Sequence, residues 1–247
     1  FMTNNTEINN FLLFHRVLNS KKKIIKNEDI DVKFFIEILE YIKKFNKNKN
    51  IKKNYIIPTF DDGNLSDFEL VLNELKLRNL YSYFFIIPKL IGKRNYLTWD
   101  MVINLNKNKM IIGSHSFSHI NLVKCKPSIA KYEMKKSKEI IEDKLNEKID
   151  SFSFPYGEFN SNLINLAKET GYKKIFTSRH GISCNKDEYL KRNSLNKDLK
   201  INDVKKIIDA EYLTKLKWFL EDNIKYPLRR LIGKKNYLYL RLLLTKR

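Results

Sequence analysis

Short runs of β-branched and aromatic residues alternate along this chain with longer segments whose apolar residues recur every three or four positions. Runs of the first kind are typical of strands, and segments of the second kind are typical of amphipathic helices. The pattern predicts seven strands, over residues 11–14, 55–60, 81–87, 110–113, 151–154, 174–177 and 189–195. Because helical segments separate most of them, the sequence indicates repeated β-α units around a parallel sheet.

Five helices are predicted between these strands, over residues 32–45, 66–77, 98–105, 128–145 and 161–170. Ser66 and Glu69 have the spacing of a capping box, and Thr98 is placed to cap the helix that it precedes. Gly171 follows the fifth helix at a position where glycine often ends helices. No internal repeat or Pro/Ser-rich linker interrupts the pattern, so we expect a single domain over residues 1–210.

The last part of the chain, residues 211–247, is strongly basic and aromatic and predicts a helical C-terminal extension. Two interpretations of this extension remain open. It packs on the domain, or it lies on an anionic lipid surface with its Lys and Arg at the headgroups and its Trp, Tyr and Leu below them.

Composition narrows the class of protein. With 43% hydrophobic and 13% aromatic residues, the 247-residue chain is not a disordered one. Its two cysteines, Cys125 and Cys184, exclude a disulfide framework and a thiol-based zinc site. No apolar run approaches the roughly 18 residues of a membrane-spanning helix. The first residues lack the order of a signal peptide, so we expect a cytoplasmic protein, peripheral at most at the inner membrane face.

The formal net charge of +20 comes mostly from lysine, and 28 asparagines accompany the lysines throughout. A general bias toward Lys and Asn on solvated surfaces explains much of it, and an anionic substrate or an anionic membrane are the functional alternatives. Nucleic acid is not expected as a partner, because the lysines are dispersed and no nucleic-acid-binding motif accompanies them.

Two adjacent carboxylates, Asp61 and Asp62, follow the strand predicted over residues 55–60. Ionised side chains are seldom found at such a position unless they are paired or bind a metal. Two histidines, His115 and His119, follow another predicted strand, and their spacing of four lets both imidazoles converge on one ion.

One carboxylate and two imidazoles suit a borderline divalent cation, and three protein ligands leave positions open for water and substrate. The second carboxylate would be free to act as a base. Each pattern alone also fits an ordinary turn or surface loop. Together, at the ends of two strands of a β/α chain, they favour a catalytic metal site, because the active sites of such folds lie at the carboxyl ends of the strands.

Three motifs, taken in order, resemble those of the NodB-homology polysaccharide deacetylases, carbohydrate esterase family 4: Thr59-Phe60-Asp61-Asp62-Gly63, His115-Ser116-Phe117-Ser118-His119 and Phe154-Pro155-Tyr156-Gly157. The run Phe14-His15-Arg16-Val17 is similar to the strand that opens many members. The resemblance covers about residues 11–195, and the Phe-Pro-Tyr-Gly form of the third motif marks a subgroup. It implies an α/β fold, a distorted (β/α)7 barrel, and metal-dependent hydrolysis of an N-acyl, usually N-acetyl, group on an amino sugar.

Carried over position by position, the resemblance makes Asp62, His115 and His119 the ligands of a divalent cation. Zn²⁺ is the commonest such ion in the family, and Co²⁺, Ni²⁺ or Fe²⁺ are alternatives. Asp61 becomes the general base, and the backbone N–H of Tyr156 becomes a donor to the oxyanion that attack on the amide creates.

The chain departs from the family pattern at an arginine. The usual third motif carries an arginine two residues before its proline, and this chain has Ser153 there. Residues 190–192 resemble a leucine-x-arginine sequence of a subgroup that also lacks the earlier arginine. Arg192 is therefore the candidate partner of Asp61, and an exposed arginine at a strand end is the alternative.

A second departure is the absence of the leucine-x-histidine motif whose imidazole usually protonates the leaving amine. His180 is the one histidine that follows the third motif, so it is the candidate general acid. His15 is interpreted as a structural residue or as part of the pocket wall.

These inferences predict a metal-dependent N-deacetylase of surface polysaccharide biosynthesis. Its expected partner is an N-acetylated sugar, an oligosaccharide, or a lipid- or nucleotide-linked sugar. Three alternatives stay open: a deformylase or other N-acyl hydrolase of the same family, a catalytically degenerate member that only binds glycan, and a basic scaffold at a membrane surface.

Overall fold

A computed structural model describes residues 8–19, 26–47, 54–184, 186–233 and 236 of the chain. Its strands are β1 (Ile8–Phe14), β2 (Arg16–Leu18), β3 (Asp29–Asp31), β4 (Asn54–Phe60), β5 (Tyr83–Ile86), β6 (Ile111–Ser114), β7 (Ser151–Ser153), β8 (Lys174–Phe176), β9 (Ser183–Cys184) and β10 (Arg192–Ser194). Its α-helices are α1 (Val32–Lys47), α2 (Leu72–Leu77), α3 (Trp99–Lys107), α4 (Pro127–Leu145), α5 (Ser161–Glu169), α6 (Ile201–Ile208), α7 (Tyr212–Leu220) and α8 (Tyr226–Ile232). Two π-helical turns, Asp67–Val71 and Glu221–Lys225, lie directly before α2 and α8.

Seven parallel strands curl into a barrel in the order β10-β1-β4-β5-β6-β7-β8. The sheet closes through Leu190, just before β10, which forms a parallel bridge with Phe176 of β8. The backbone N–H of Leu190 donates to the carbonyl of Ile175 at 2.7 Å, and the N–H of Thr177 donates to the carbonyl of Leu190 at 2.9 Å. One bridge closes the ring, so the predicted distorted (β/α)7 barrel is confirmed.

Aromatic side chains fill the interior of the barrel. Strand alternation turns one set of residues inward, where Phe11, Ile57, Tyr83, Phe85 and Phe176 form a separate buried cluster. The intervening residues point outward and pack under the helices in the main core. The inner aromatic layer forms a floor below the carboxyl ends of the strands.

Most of the predicted helices are confirmed, and their capping shows why they begin and end where they do. Thr98 accepts a hydrogen bond from the backbone N–H of Met101 at 3.3 Å, as predicted for an N-cap residue. Gly171 has a φ of +93°, the left-handed conformation that lets glycine end α5.

The capping box predicted for Ser66 and Glu69 is wrong. Ser66 has helical backbone angles and makes no capping bond with its side chain. Its hydroxyl instead accepts from the backbone N–H of Val17 at 3.4 Å, which ties it to β2. The predicted helix therefore begins as the π-helical turn Asp67–Val71, and only Leu72–Leu77 is α-helical.

The sequence pattern did not predict several short elements. Strands β2 and β3 pair with each other in a separate two-stranded sheet, and β9 adds to β1 in antiparallel orientation. The eight-residue helix α6 was also not predicted, although it packs on the barrel by burying Val204 and Ile208. The three strands have too few residues to display a periodicity, whereas α6 has apolar residues at helical spacing that the sequence interpretation missed.

The C-terminal extension is helical in α7 and α8. The part of the prediction that concerns residues 237–247 lies outside the described residues, and the division at residue 210 stays a prediction. Within the described ranges, no helix combines the length and the apolar content that crossing a bilayer requires.

Candidate active site

The motif residues gather where β4 and β6 end, at one rim of the barrel. Asp61 continues β4, with its backbone N–H donating to the carbonyl of Phe14 at 3.1 Å. The chain then turns sharply, since Asp62 has a φ of +79° and Gly63 one of +70°. This turn aims the two neighbouring carboxylates differently. Asp61 is 2% exposed and lies over the barrel interior, whereas the side chain of Asp62 is 24% exposed.

Asp62, His115 and His119 form a compact group of candidate metal ligands. Oδ1 of Asp62 lies 3.5 Å from Nε2 of His119 and 3.7 Å from Nε2 of His115. One ligand atom from each residue lies within 4.8 Å of the other two. The donor set thus consists of two imidazole nitrogens and one carboxylate oxygen. Such a set fits a borderline divalent cation and leaves further coordination positions open.

A hydrogen bond on its far side fixes the imidazole of His115. Nδ1 lies 2.8 Å from the carbonyl oxygen of Ser153. A carbonyl only accepts, so Nδ1 carries the proton and Nε2 keeps its lone pair toward Asp62. Metal-ligating histidines usually have such a partner, because it sets both the tautomer and the ring orientation.

The loop from Ser116 to His119 is held rigidly in an unusual conformation. Ser116 and His119 have φ values of +61° and +60°, and the Ser116 hydroxyl accepts from the His119 N–H at 3.0 Å. Between them, Ser118 donates from its N–H and its hydroxyl to the buried carboxylate of Glu133 on α4, at 2.7 and 2.6 Å. These contacts hold both imidazoles on one side of the loop.

Burial, and then the neighbouring His115, lower the pKa of His119 to about 4, while Asp62 opposes the change. His119 is therefore neutral at pH 7. A neutral imidazole has the free nitrogen lone pair that a metal ligand needs.

Arg192 makes a bidentate ion pair with Asp61. Its Nη1 and Nη2 donate to the two carboxylate oxygens at 2.7 and 2.8 Å, and the arginine is fully buried. Its guanidinium lies over the inner aromatic floor, 5.3 Å from the ring centre of Phe85 and 5.9 Å from that of Phe176. Burial by itself would raise the pKa of Asp61, but Arg192 and His115 hold it well below its usual range, so Asp61 stays ionised.

Ser153 occupies the space between these groups and explains the departure from the usual third motif. Arg192 donates from Nη2 to the Ser153 hydroxyl at 2.7 Å, and that hydroxyl lies 3.2 Å from Oδ2 of Asp61, to which it donates. The guanidinium from β10 thus reaches Asp61 next to residue 153. A second arginine at that position would bring two positive charges together, whereas a serine bridges the pair.

The third motif forms a tight turn beside the metal-ligand group. Tyr156 has a φ of +61°, and its ring, in a side chain that is largely exposed, lies 4.6 Å from the ring of His119. Gly157 has a φ of +65°, and a Cβ there would lie 2.5 Å from Ser178. Only glycine fits, so the turn holds Tyr156 at the mouth of the site.

The structure does not bring His180 to the metal-ligand group. Its Nδ1 lies 2.9 Å from Oδ1 of Asp222, and its backbone N–H donates to Oδ2 of the same carboxylate at 2.9 Å. In the described part of the chain, no hydrogen bond or ion pair joins His180 to Asp61, Asp62, His115 or His119. The imidazole holds the C-terminal extension against the loop that follows β8.

His15, which the sequence analysis interprets as a structural residue or as part of the pocket wall, lies beside the site. It follows β1, and it lies close enough to Asp61 and His119 to perturb the pKa of both. Its Nδ1 is buried and has no hydrogen-bond partner among the described residues. A buried imidazole nitrogen without a partner is unusual in a folded protein and is often functional. The signal in the sequence was its position directly after the first strand.

Asp67 is a second carboxylate buried close to the site, and neither of its oxygens has a hydrogen-bond partner in the described ranges. Burial, and then the negative charges of Asp62 and Asp61, raise the pKa of Asp67 well above its usual value. Asp67 therefore takes up a proton when the chain folds.

We expect Asp67→Asn to stabilise the protein, by an amount that grows as pH rises. A raised folded pKa means that the stability of the wild type is full below the unfolded pKa, about 3.9, and falls as pH rises toward the folded pKa. The side-chain amide of asparagine is uncharged throughout this pH range, so the variant does not lose stability in this way. Urea denaturation in chelator across pH 4 to 8 measures the difference, with the exposed Asp143→Asn as control. A difference that does not change with pH would show that Asp67 is ionised in the folded protein.

A cavity of about 720 Å³ adjoins the site between the barrel rim and the C-terminal extension. Its lining includes Tyr156 and Gly157 of the third motif and Trp218 of α7. The space is within the range of small-molecule sites, which are clefts of about 300–1,000 Å³.

Sequence comparison places these residues in a known context. The family model for polysaccharide deacetylase matches residues 48–175, just over half of the chain. The YxkH protein of Bacillus subtilis (strain 168), provisionally described as a polysaccharide deacetylase, is 26% identical over 135 residues. That match covers 55% of this chain and 48% of YxkH. The chain thus spans about half the length of the curated relatives that it matches.

Solved structures show the same fold. The deacetylase PplD of Streptococcus pyogenes, in complex with acetate, superposes with a TM-score of 0.73 at 19% identity, covering 81% of this chain and 98% of PplD. IcaB of Ammonifex degensii superposes with a TM-score of 0.69 at 18% identity, covering 78% of this chain and 93% of IcaB. At such identities the likeness establishes the barrel and leaves the chemistry to the side chains described above.

Proposed function

This chain belongs to the polysaccharide deacetylase family, and from that premise we propose that it is a metal-dependent hydrolase that removes an N-acetyl group from an amino sugar. The observation that carries the proposal is the placement of Asp62, His115 and His119 around one point beside an ionised Asp61. Family membership supports hydrolysis of an acetamide, and the donor set supports a divalent cation, with Zn²⁺ the first candidate.

When bound by Asp62, His115 and His119, such a cation supplies Lewis acidity, which polarises an amide carbonyl and makes water more acidic. Asp61 accepts the proton of the attacking water. Because Arg192 keeps the pKa of Asp61 low, this carboxylate is ionised and able to accept that proton. Arg192 and Ser153 also fix its orientation, since both hydrogen-bond to it.

Two further groups serve the later steps. The backbone N–H of Tyr156, in the turn that Gly157 allows, donates to the oxyanion as attack proceeds. The amine leaves only after it gains a proton. We assign that proton to the imidazole of His15, because it lies near Asp61 and its buried Nδ1 has no partner among the described residues. The imidazole of His180, in contrast, is hydrogen-bonded to Asp222.

We expect His15→Gln to lower the rate of deacetylation by about 10²–10⁴-fold, the usual contribution of a positioned acid, while the cation stays bound. His180→Gln is the matched control and should keep most of the activity. A substrate whose leaving amine departs without protonation should be affected far less by the substitution.

If His180→Gln lowers the rate by this amount and His15→Gln keeps most of the activity, His180 is the general acid. If both keep full activity, water in the cleft protonates the amine.

We propose an N-acetylated intermediate of a surface glycan, linked to a nucleotide or to a lipid. The cytoplasmic location expected from the sequence likewise stays a prediction. Release of acetate should be measured on UDP-linked, undecaprenyl-linked and polymeric N-acetyl sugars, with N-formyl sugars in parallel. Activity confined to long polymers would contradict the proposed substrate, and turnover of the formyl substrates alone would make the protein a deformylase.

The same assay tests whether the chain is an enzyme at all. If the cation-loaded protein hydrolyses none of these substrates, the result supports the alternative that the chain is a family member that only binds glycan.

A further inference from the structure

The C-terminal helices turn apolar side chains toward solvent. We call these residues the outer stripe: Tyr212, Leu213, Leu216, Phe219, Leu220, Ile224 and Leu231. Their exposed fractions run from 39% at Leu220 to 84% at Leu231. They make up seven of the thirteen large hydrophobic residues that are exposed in the described part of the chain. The exposed apolar residues are therefore clustered in this segment and not scattered over the surface.

Helix geometry places the stripe on one side of α7. Each residue advances about 100° around an α-helix, so Tyr212, Leu216 and Phe219, with their neighbours Leu213 and Leu220, share one side. Trp218 lies on the opposite side and is 9% exposed. The helix is thus attached to the protein by the side that carries Trp218, and the apolar residues on its other side remain exposed, although Leu213 and Phe219 also line cavities beside the barrel.

Polar contacts hold the extension in this orientation. Asp222, in the turn after α7, accepts hydrogen bonds from His180, and its carbonyl accepts one from Arg179. Trp218 lines the cavities beside these same two residues. The stripe is therefore exposed because the other side of the helix is fastened to the barrel.

Lysines border the stripe on both sides. Lys215 and Lys217 precede and follow Leu216, so they project about 100° to either side of it, and both are exposed. Long lysine side chains at such borders reach headgroups while the apolar residues between them enter the lipid. Residues 212–236 carry seven basic and two acidic side chains. One of the acidic groups, Asp222, is paired with His180, and the other, Glu221, with Lys225.

We propose that the outer stripe docks on an anionic lipid surface. The excess of positive charge selects this occupant. A second copy of the chain would bring two basic surfaces together, and like charges repel. The sequence of residues 237–247 contains three basic and no acidic side chains, so its charge does not complement that of the stripe. Anionic headgroups offer both a negative potential for the lysines and an apolar layer for the stripe.

Vesicle cosedimentation of the full chain tests the proposal. Vesicles of phosphatidylcholine alone are compared with vesicles that contain about one third phosphatidylglycerol. The apolar variant carries Leu216→Gln with Phe219→Gln, and the charge variant carries Lys215→Gln with Lys217→Gln. The matched control carries Ile129→Gln with Tyr132→Gln, which removes two apolar residues of similar exposure, 46% and 56%, from α4.

The expected result is binding to the anionic vesicles alone, weakened by high salt. The apolar variant should bind about tenfold more weakly, the charge variant should lose its preference for anionic lipid, and the control should bind as the wild type does. Equal binding by the apolar variant and the wild type would overturn the proposal. So would sedimentation velocity showing a dimer that the apolar variant abolishes, because the stripe would then be an interface between two copies.

Discussion

Replacing Asp61 with Asn is expected to lower the rate of deacetylation by about 10²–10⁴-fold while the protein still binds one divalent cation. An amide has nearly the shape of the carboxylate but cannot accept the proton of the attacking water. Asp61 lies 3.7 Å from Nε2 of His115 and is held by Arg192, so its contacts are those of a base beside the metal-ligand group. Steady-state kinetics on a deacetylation substrate and elemental analysis measure the two quantities.

Asp62→Asn is the control for this prediction, because it changes the neighbouring residue in the same way. Asp62 belongs to the ligand group, so this variant should bind the cation more weakly and regain activity when excess metal is added. If the Asp61 variant lost the cation instead, the roles assigned to the two carboxylates would have to be exchanged.

Replacing Arg192 with Met should lower the free energy of unfolding by about 3–5 kcal/mol, the range found when one partner of a buried ion pair is removed. Methionine is of similar length and keeps contact with the aromatic floor, but it leaves Asp61 buried without its positive partner. Without Arg192, burial dominates, so the pKa of Asp61 rises and the acid limb of the activity profile moves to higher pH.

The pH dependence of the free energy of unfolding shows in which direction folding shifts the pKa of Asp61. In the wild type the folded pKa of Asp61 is depressed, so its contribution to stability is present above the unfolded pKa, about 3.9, and is lost as pH falls. In the Arg192 variant the folded pKa is raised, so stability is lost as pH rises. Urea denaturation at pH 5 and pH 8 distinguishes the two cases.

The double variant, Arg192→Met with Asp61→Asn, removes the charge as well as its partner and should recover most of the lost stability. A single variant as stable as the wild type at both pH values would show that the ion pair contributes nothing.

The sequence revealed the barrel and the ligand group because both can be inferred from local patterns, namely the strands and the polar residues that directly follow them. Asp61 and Asp62 directly follow β4, and His115 directly follows β6. Parallel strands bring such ends to one rim. No knowledge of side-chain packing was needed to predict that these residues meet.

The resemblance to the family implied the pairing of Arg192 with Asp61, but the other supporting contacts could not be predicted, because they join residues far apart in the chain. Ser153 bridges Arg192 and Asp61 across three strands, and Glu133 holds the loop of the two histidines from α4. Whether His15 or His180 lies nearer the site is likewise decided by packing: Asp222 holds His180 at the extension, some forty residues further along the chain. A pattern of residue types contains no information on such pairings.

Titration of the chelator-treated protein with Zn²⁺ by calorimetry tests whether Asp62, His115 and His119 bind a metal. We expect one cation per chain, and no binding at that site when His115 or His119 is replaced by Ala, since each imidazole supplies one of three ligands. Undiminished, stoichiometric binding by both alanine variants would place the metal elsewhere and contradict the active site described for this protein.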